Sequence, residues 1–134
     1  MKNRESEEMY LETIFLLKEK DDFVRAVDIA NKLGYAKSSV SRAVKLLVER
    51  GYVTVKKNGN ICFTESGRER AKGVYERHKV LTKFFMKAGA ERKLAEEEAC
   101  KTEHVISSRL FDIIKEYVKN FETEEDNSLK KTVH

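Results

Sequence analysis

At 134 residues, 40% of them apolar and 37% charged, the chain has room for one compact domain or for a small module joined to a second helical one, and no apolar run approaches membrane-spanning length. Its start, Met1 to Glu8, is polar and acidic where a secretory signal would be basic and then apolar, so a cytoplasmic protein is expected. The net charge of +4 is unevenly spread: residues 1–24 hold four Lys/Arg against seven Asp/Glu, residues 25–60 eight against two, and residues 65–134 fifteen against fourteen.

From Glu7 to about Lys20, apolar residues at Met9, Tyr10, Ile14, Leu16 and Leu17 mark an amphipathic helix that Asp21 and Asp22 end. Ala26, Ile29, Ala30 and Leu33 form a second stripe of about ten residues, closed by Gly34, whose missing Cβ permits a left-handed helix end. A third helix follows Tyr35-Ala36, with Val40, Ala43, Val44, Leu47 and Val48 as its apolar side, Ser38 or a neighbour as cap, and Gly51 as its stop. The β-branched and aromatic runs Tyr52–Val55 and Ile61–Thr64 flank turn chemistry from Lys56 to Asn60 and predict a β-hairpin. Thr64 or Ser66 then caps a long helix over about 65–88, with Ala71, Val74, Tyr75, Leu81, Phe84 and Phe85 on its apolar side, before Gly89. Two more helices are expected, at about Glu91–Val105 and Ser108–Phe121, the latter with Phe111, Ile114, Tyr117, Val118 and Phe121 in register. Thr123 to His134 is polar and is expected to be a disordered tail. Cys62 and Cys100 form no CxxC pair, so reduced thiols are expected rather than a disulfide framework or zinc ribbon.

Two short helices joined by a tight turn and followed by a hairpin are the order of a winged helix-turn-helix, which gives the positive charge of residues 25–60 a partner, the DNA backbone. The third helix divides as a recognition helix should. Lys37, Ser38, Ser39, Ser41, Arg42 and Lys45 are left for the major groove and its phosphates, while Val40, Val44 and Leu47 face inward. Arg42 can donate twice to a guanine edge, and Arg25, Lys56 and Lys57 suit phosphates, the last two from the hairpin tip. A winged helix used for protein contact is the bland alternative.

Further along, Glu96, Cys100, Glu103 and His104 stand at i, i+4, i+7 and i+8 and would share one face of the Glu91 helix. Thiolate, carboxylate and imidazole together suit a first-row transition metal, although Cys is often a small buried apolar residue and Glu-His often plain surface. His78 lies on an otherwise apolar face, where a hydrogen-bonded core histidine is commoner than a ligand; Met9 reads first as core and Glu12 as a solvated charge. No nucleophile or phosphate-loop motif supports catalysis, so an enzyme is not expected.

With Glu8-Met9-Tyr10-Leu11-Glu12, Ser39-Val40-Ser41, Leu47 through Gly51-Tyr52-Val53, Thr64-Glu65-Ser66-Gly67, Arg77-His78, Glu98-Ala99-Cys100 and Glu103-His104 in order, the chain resembles the metal-dependent repressors of the diphtheria toxin repressor and manganese transport regulator family over roughly residues 5–122. That resemblance implies a mainly α fold: a winged helix-turn-helix DNA-binding domain at 1–73, a helical metal-binding and dimerisation domain at 74–122, and a polar tail at 123–134. It further implies a homodimer that binds palindromic operators when metal is bound, in the short form without the SH3-like domain. Met9, Cys100, Glu103 and His104 match the activating site of the iron-responsive branch, whereas the manganese branch has aspartate and glutamate at the places of Met9 and Cys100. Fe²⁺ is therefore preferred over Mn²⁺. Glu12 resembles a manganese-branch ligand; Thr82 stands where the ancillary site, which includes His78, has a glutamate, and Glu96 where it has histidine, so that site is expected to be altered or absent. The expected mechanism is a metal that joins Met9 to Cys100, Glu103 and His104 and so restrains the DNA-binding module on the dimer, weakening as acid protonates the ligands. A metal-independent winged-helix thiol sensor using Cys100 is the competing reading.

Overall fold

The computed structural model describes the backbone of residues 4–133 and the side chains of residues 4–122. Its elements run α1 (Arg4–Lys20), α2 (Ala26–Leu33), α3 (Lys37–Glu49), β1 (Val53–Val55), β2 (Ile61–Phe63), α4 (Glu65–Lys87), α5 (Arg92–Thr102) and α6 (Ser108–Val133). The chain divides into two compact units, Met1–Tyr75 and Glu76–His134, with the division falling inside α4.

In the first unit, α1 carries Glu5 and Glu7 in its first turn and Lys18 and Lys20 in its last, each charge set against the opposite end of the helix dipole. It begins at Arg4, earlier than the apolar pattern predicts, because the polar first turn adds no stripe to read. The Asp28 carboxylate accepts from the Arg25 backbone N–H at 2.8 Å and starts α2. Gly34 ends that helix at φ +71°, its N–H bonded to Ala30 C=O at 2.8 Å. Helix α3 departs from expectation at both ends. Its N-cap is Ala36, with no side-chain cap, so Ser38 is already helical; and Val48, expected inside, is exposed at 41%. The hairpin is antiparallel, with Val53 opposite Phe63, Thr54 opposite Cys62 and Val55 opposite Ile61. Leu11, Ile14, Val24, Ile29, Val40, Leu47, Val53, Ile61 and Ala71 form one buried core beneath these elements.

The first unit also contains a charge cluster that periodicity does not reveal. Glu7 and Glu8 are buried; Arg50, just after α3, and Arg70 on α4 both pair with Glu7, Arg70 also lies 3.4 Å from Glu8, and Arg4 lies 3.0 Å from Glu8. Arg70 in addition sits 5.0 Å above the Tyr52 ring. Buried carboxylates are tolerable only with such partners.

In the second unit, Leu81, Ala99, Ile106 and Phe111 form a smaller core, flanked by Val80, Phe85 and Ile114. The later part of α4 meets α6 through Phe84 and Tyr117, 5.9 Å between ring centres, and through Lys115 and Glu76 at 2.7 Å. Gly89, at φ +117°, makes the turn before α5. Helix α5 is shorter than expected and ends at Thr102, while α6 is longer. It continues to Val133 through the stretch expected to be a disordered tail, where the sequence contains no glycine or proline to interrupt it.

Candidate DNA interface and metal centre

The exposed side of α3 carries Lys37, Ser38, Ser41, Arg42 and Lys45, with Ser39 half-buried. Ser38, Ser41, Arg42 and Lys45 fall at i, i+3, i+4 and i+7, one continuous face, and Val40, Ala43, Val44 and Leu47 hold the opposite face in the core. Lys56 and Lys57 are exposed at the hairpin turn. Arg25 stands beside that turn. A Cβ added to Gly59 would lie 3.5 Å from Arg25 Cγ and Cδ, and the Arg25 guanidinium is 5.4 Å from the Phe23 ring centre. The predicted cations are thus displayed by one unit, on α3 and on the hairpin turn. Arg50 belongs to the same basic segment but is tied to Glu7, a role its sequence position does not announce.

In the second unit, Glu103 is the focus. Its carboxylate is fully buried, with His78 Nδ1 2.8 Å from Oε2 and His104 Nε2 3.2 Å from Oε1. His78 comes from α4 and His104 from the turn that follows α5; His104 is buried, and His78 retains about a quarter of its side-chain surface. His78 is therefore not a passive member of an apolar face.

The expected four-residue face on α5 does not form as drawn. Ala95, Ala99 and Glu103 make the buried row at intervals of four, so Glu96 and Cys100, one position further round, are exposed. Helix α5 stops at Thr102 with Glu103 as its C-cap, which places Glu103 and His104 in the turn beyond it. Glu96 pairs with Arg92 at 3.5 Å on the surface. Thr82 donates to His78 C=O at 2.8 Å within its own helix. In the first unit, Met9 Sδ accepts from the Tyr35 hydroxyl at 3.7 Å, and Glu12 is half-buried on α1.

The buried Glu103 carboxylate with His78 Nδ1 beside it offers oxygen and nitrogen donors of the kind a divalent cation takes, and a cation neutralises a charge that burial otherwise makes costly.

Two family models match the chain: the iron dependent repressor N-terminal DNA binding domain over residues 4–61, and the iron dependent repressor metal binding and dimerisation domain over residues 64–130. The chain belongs to the iron-dependent repressor family. This is the family of the diphtheria toxin repressor and manganese transport regulator, and the mainly helical two-part architecture is that of the iron-dependent repressors. Among its relatives, an HTH-type transcriptional regulator of Methanocaldococcus jannaschii is 34% identical over 119 residues, 87% of this chain and 95% of that protein. The HTH-type transcriptional regulator MntR of Bacillus subtilis is 31% identical over 126 residues, 94% of this chain and 87% of that protein. A solved manganese-dependent transcriptional repressor in complex with manganese aligns with a TM-score of 0.78 and 29% identity over 84% of this chain; the match spans about half, 52%, of that longer chain. These repressor-family relatives are regulators. Among the described residues no helix is long and apolar enough to cross a membrane.

Proposed function

We propose that this chain is a metal-activated transcriptional repressor that binds double-stranded palindromic operators as a homodimer in the cytoplasm and controls metal-ion homeostasis genes. The observation that carries the reading is the buried Glu103 carboxylate between His78 and His104, in a chain whose other unit displays Lys37, Ser38, Ser41, Arg42, Lys45 and the wing lysines. In the second unit Leu94, Val105, Leu110, Ile113 and Tyr117 are exposed apolar residues, which supports a partner subunit there.

Glu103 and His78 would hold the metal; His104, Met9, Glu12 and Cys100 enter the ligand set from the family resemblance, and Glu96 only from its spacing along α5. A bound divalent cation supplies positive charge to the buried carboxylate and fixes the donors around it. Glu103 would anchor the cation, and an imidazole binds it only in its neutral form. Activation requires only that the DNA-competent form bind the cation more tightly than the other form does.

Fe²⁺ is the metal proposed, on the softness of the sulfurs of Met9 and Cys100. Mn²⁺ is the second reading, favoured by the nitrogen and oxygen donors of the His78–Glu103 pair and by solved relatives described as a manganese-dependent repressor and a manganese regulator. Anaerobic DNA binding, followed by fluorescence anisotropy during titration with Fe²⁺, Mn²⁺ and Zn²⁺ against a chelated control, separates them. Activation chiefly by Fe²⁺ that is lost in Cys100→Ala supports iron; stronger activation by Mn²⁺, unchanged in Cys100→Ala, supports manganese. Tight binding indifferent to chelator removes metal sensing.

A further inference from the structure

Asn60 ends the wing turn, and its side chain leaves the wing altogether. Its carboxamide oxygen accepts from the backbone N–H of Val24 at 3.0 Å and from Lys18 Nζ at 3.0 Å. Val24 in turn accepts through its C=O from the N–H of Ile61 at 2.7 Å, so Asn60 and Ile61 grip the same buried residue from two sides. Lys18 Nζ also donates to Asp22 C=O at 2.5 Å, fixing the segment between α1 and α2 that carries Val24. The backbone of Asn60 closes the turn itself: its C=O accepts from Lys56 N–H at 2.9 Å, and its N–H donates to Asn58 Oδ1 at 3.0 Å.

Such anchoring has a mechanical consequence. The hairpin has only three residues in each strand, and a two-stranded ribbon of that length is at best marginal by itself. Lys56 and Lys57 therefore point in a definite direction only if the end of their turn is held. The residue after Val24 is Arg25, whose side chain packs beside Gly59. One oxygen atom thus joins the wing cations to Arg25 and to the start of α2.

We propose that Asn60 is a positioning residue for DNA: its carboxamide oxygen holds the wing against Val24, so that Arg25, Lys56 and Lys57 meet the phosphate backbone as one preorganised surface. The proposal rests on the DNA-binding reading above. Ordering these cations before contact removes an entropic cost of binding, and the gain is read out chiefly through the two lysines of the turn that Asn60 closes.

The test is an anaerobic double-mutant cycle on the full chain with Fe²⁺ and, in parallel, Mn²⁺ present, using a fluorescein-labelled random-sequence duplex, since phosphate contacts do not depend on sequence. Asn60→Ala should weaken binding about tenfold, roughly 1.4 kcal/mol, and flatten the salt dependence of log K in the direction of the Lys56→Ala/Lys57→Ala variant. In that double-lysine background the further loss from Asn60→Ala should be under about twofold. Amide exchange at Val24 should accelerate in Asn60→Ala but not in Asn60→Asp, which keeps an oxygen acceptor for both donors and guards against a general folding defect. Wild-type affinity in Asn60→Ala, or an equal loss with and without the wing lysines, overturns the positioning role while leaving the DNA-binding reading intact. Failure of the unmodified chain to bind the duplex overturns both.

Discussion

Glu103 shows how much one buried carboxylate can constrain. With no exposed surface, its charge is tolerable only through close polar partners such as His78, whose Nδ1 lies 2.8 Å away. Glu103→Gln keeps the shape and removes the charge, so metal affinity should fall by at least about tenfold while helical content is retained. Competition against a fluorescent chelator measures this, and unchanged affinity would remove Glu103 from the ligand set. On α3, Arg42→Ala should cost about 1–3 kcal/mol of specific binding and relax base preference, whereas Lys57→Ala should weaken all duplexes alike. Gel shifts on specific and random duplexes compare the two; equal losses for Arg42→Ala would rule out direct readout. The exposed residues of α3 were legible in the sequence because a helical period assigns sides locally. His78 was not assignable in the same way, since its position on an apolar face suits a core histidine as well as a ligand, and only the 2.8 Å approach to Glu103 shows its partner.

Helix junctions are held by few atoms. At the start of α4, Thr64 Oγ1 accepts from Gly67 N–H at 3.1 Å and donates toward the carbonyls of Gly51, 2.7 Å away, and Tyr52, 3.1 Å away. A Cβ on Gly67 would lie 1.9 Å from Tyr52 C=O oxygen, which is backbone and cannot swing aside. Gly67→Ala should therefore lift α4 off the hairpin and destabilise the protein by about 3 kcal/mol, visible as a lower urea midpoint; a wild-type midpoint would show that this junction yields easily. The helix and strand order was readable from the sequence almost throughout, with errors at ends and edges. Ser38 resembles a cap by type, but Ala36 is where the backbone leaves the extended region. Val48 continues the apolar stripe on paper and lies outside it because the core covers only the side bearing Val40, Ala43, Val44 and Leu47.

For the whole molecule, the two units differ in what they display: exposed cations on α3 and the hairpin turn in the first, and a buried Glu103 beside His78 with several exposed apolar residues in the second. If those residues meet a second copy of the chain, Ile113→Glu, at a position 60% exposed, should shift sedimentation toward monomer without loss of helical content. Such a variant should also bind a palindromic operator more weakly, because one subunit fills only one half-site. An unchanged sedimentation coefficient would place the subunit contact elsewhere. What the sequence determined alone was local: the 3.6-residue stripes, the glycine stops, the hairpin turn, the basic segment and the exposed polar side of α3, each encoded within about a dozen neighbouring residues. What the tertiary structure decided was pairing across long stretches of chain. Glu103 meets His78 across 25 positions, Arg70 meets Glu7 across 63, and Asn60 meets Val24 across 36, and the burial of Glu103 beside an exposed Cys100 depends on which side of α5 the core covers. Such polar contacts leave no periodic trace, because hydrogen bonding selects for complementary atoms at one point in space and places no constraint on the residues between them.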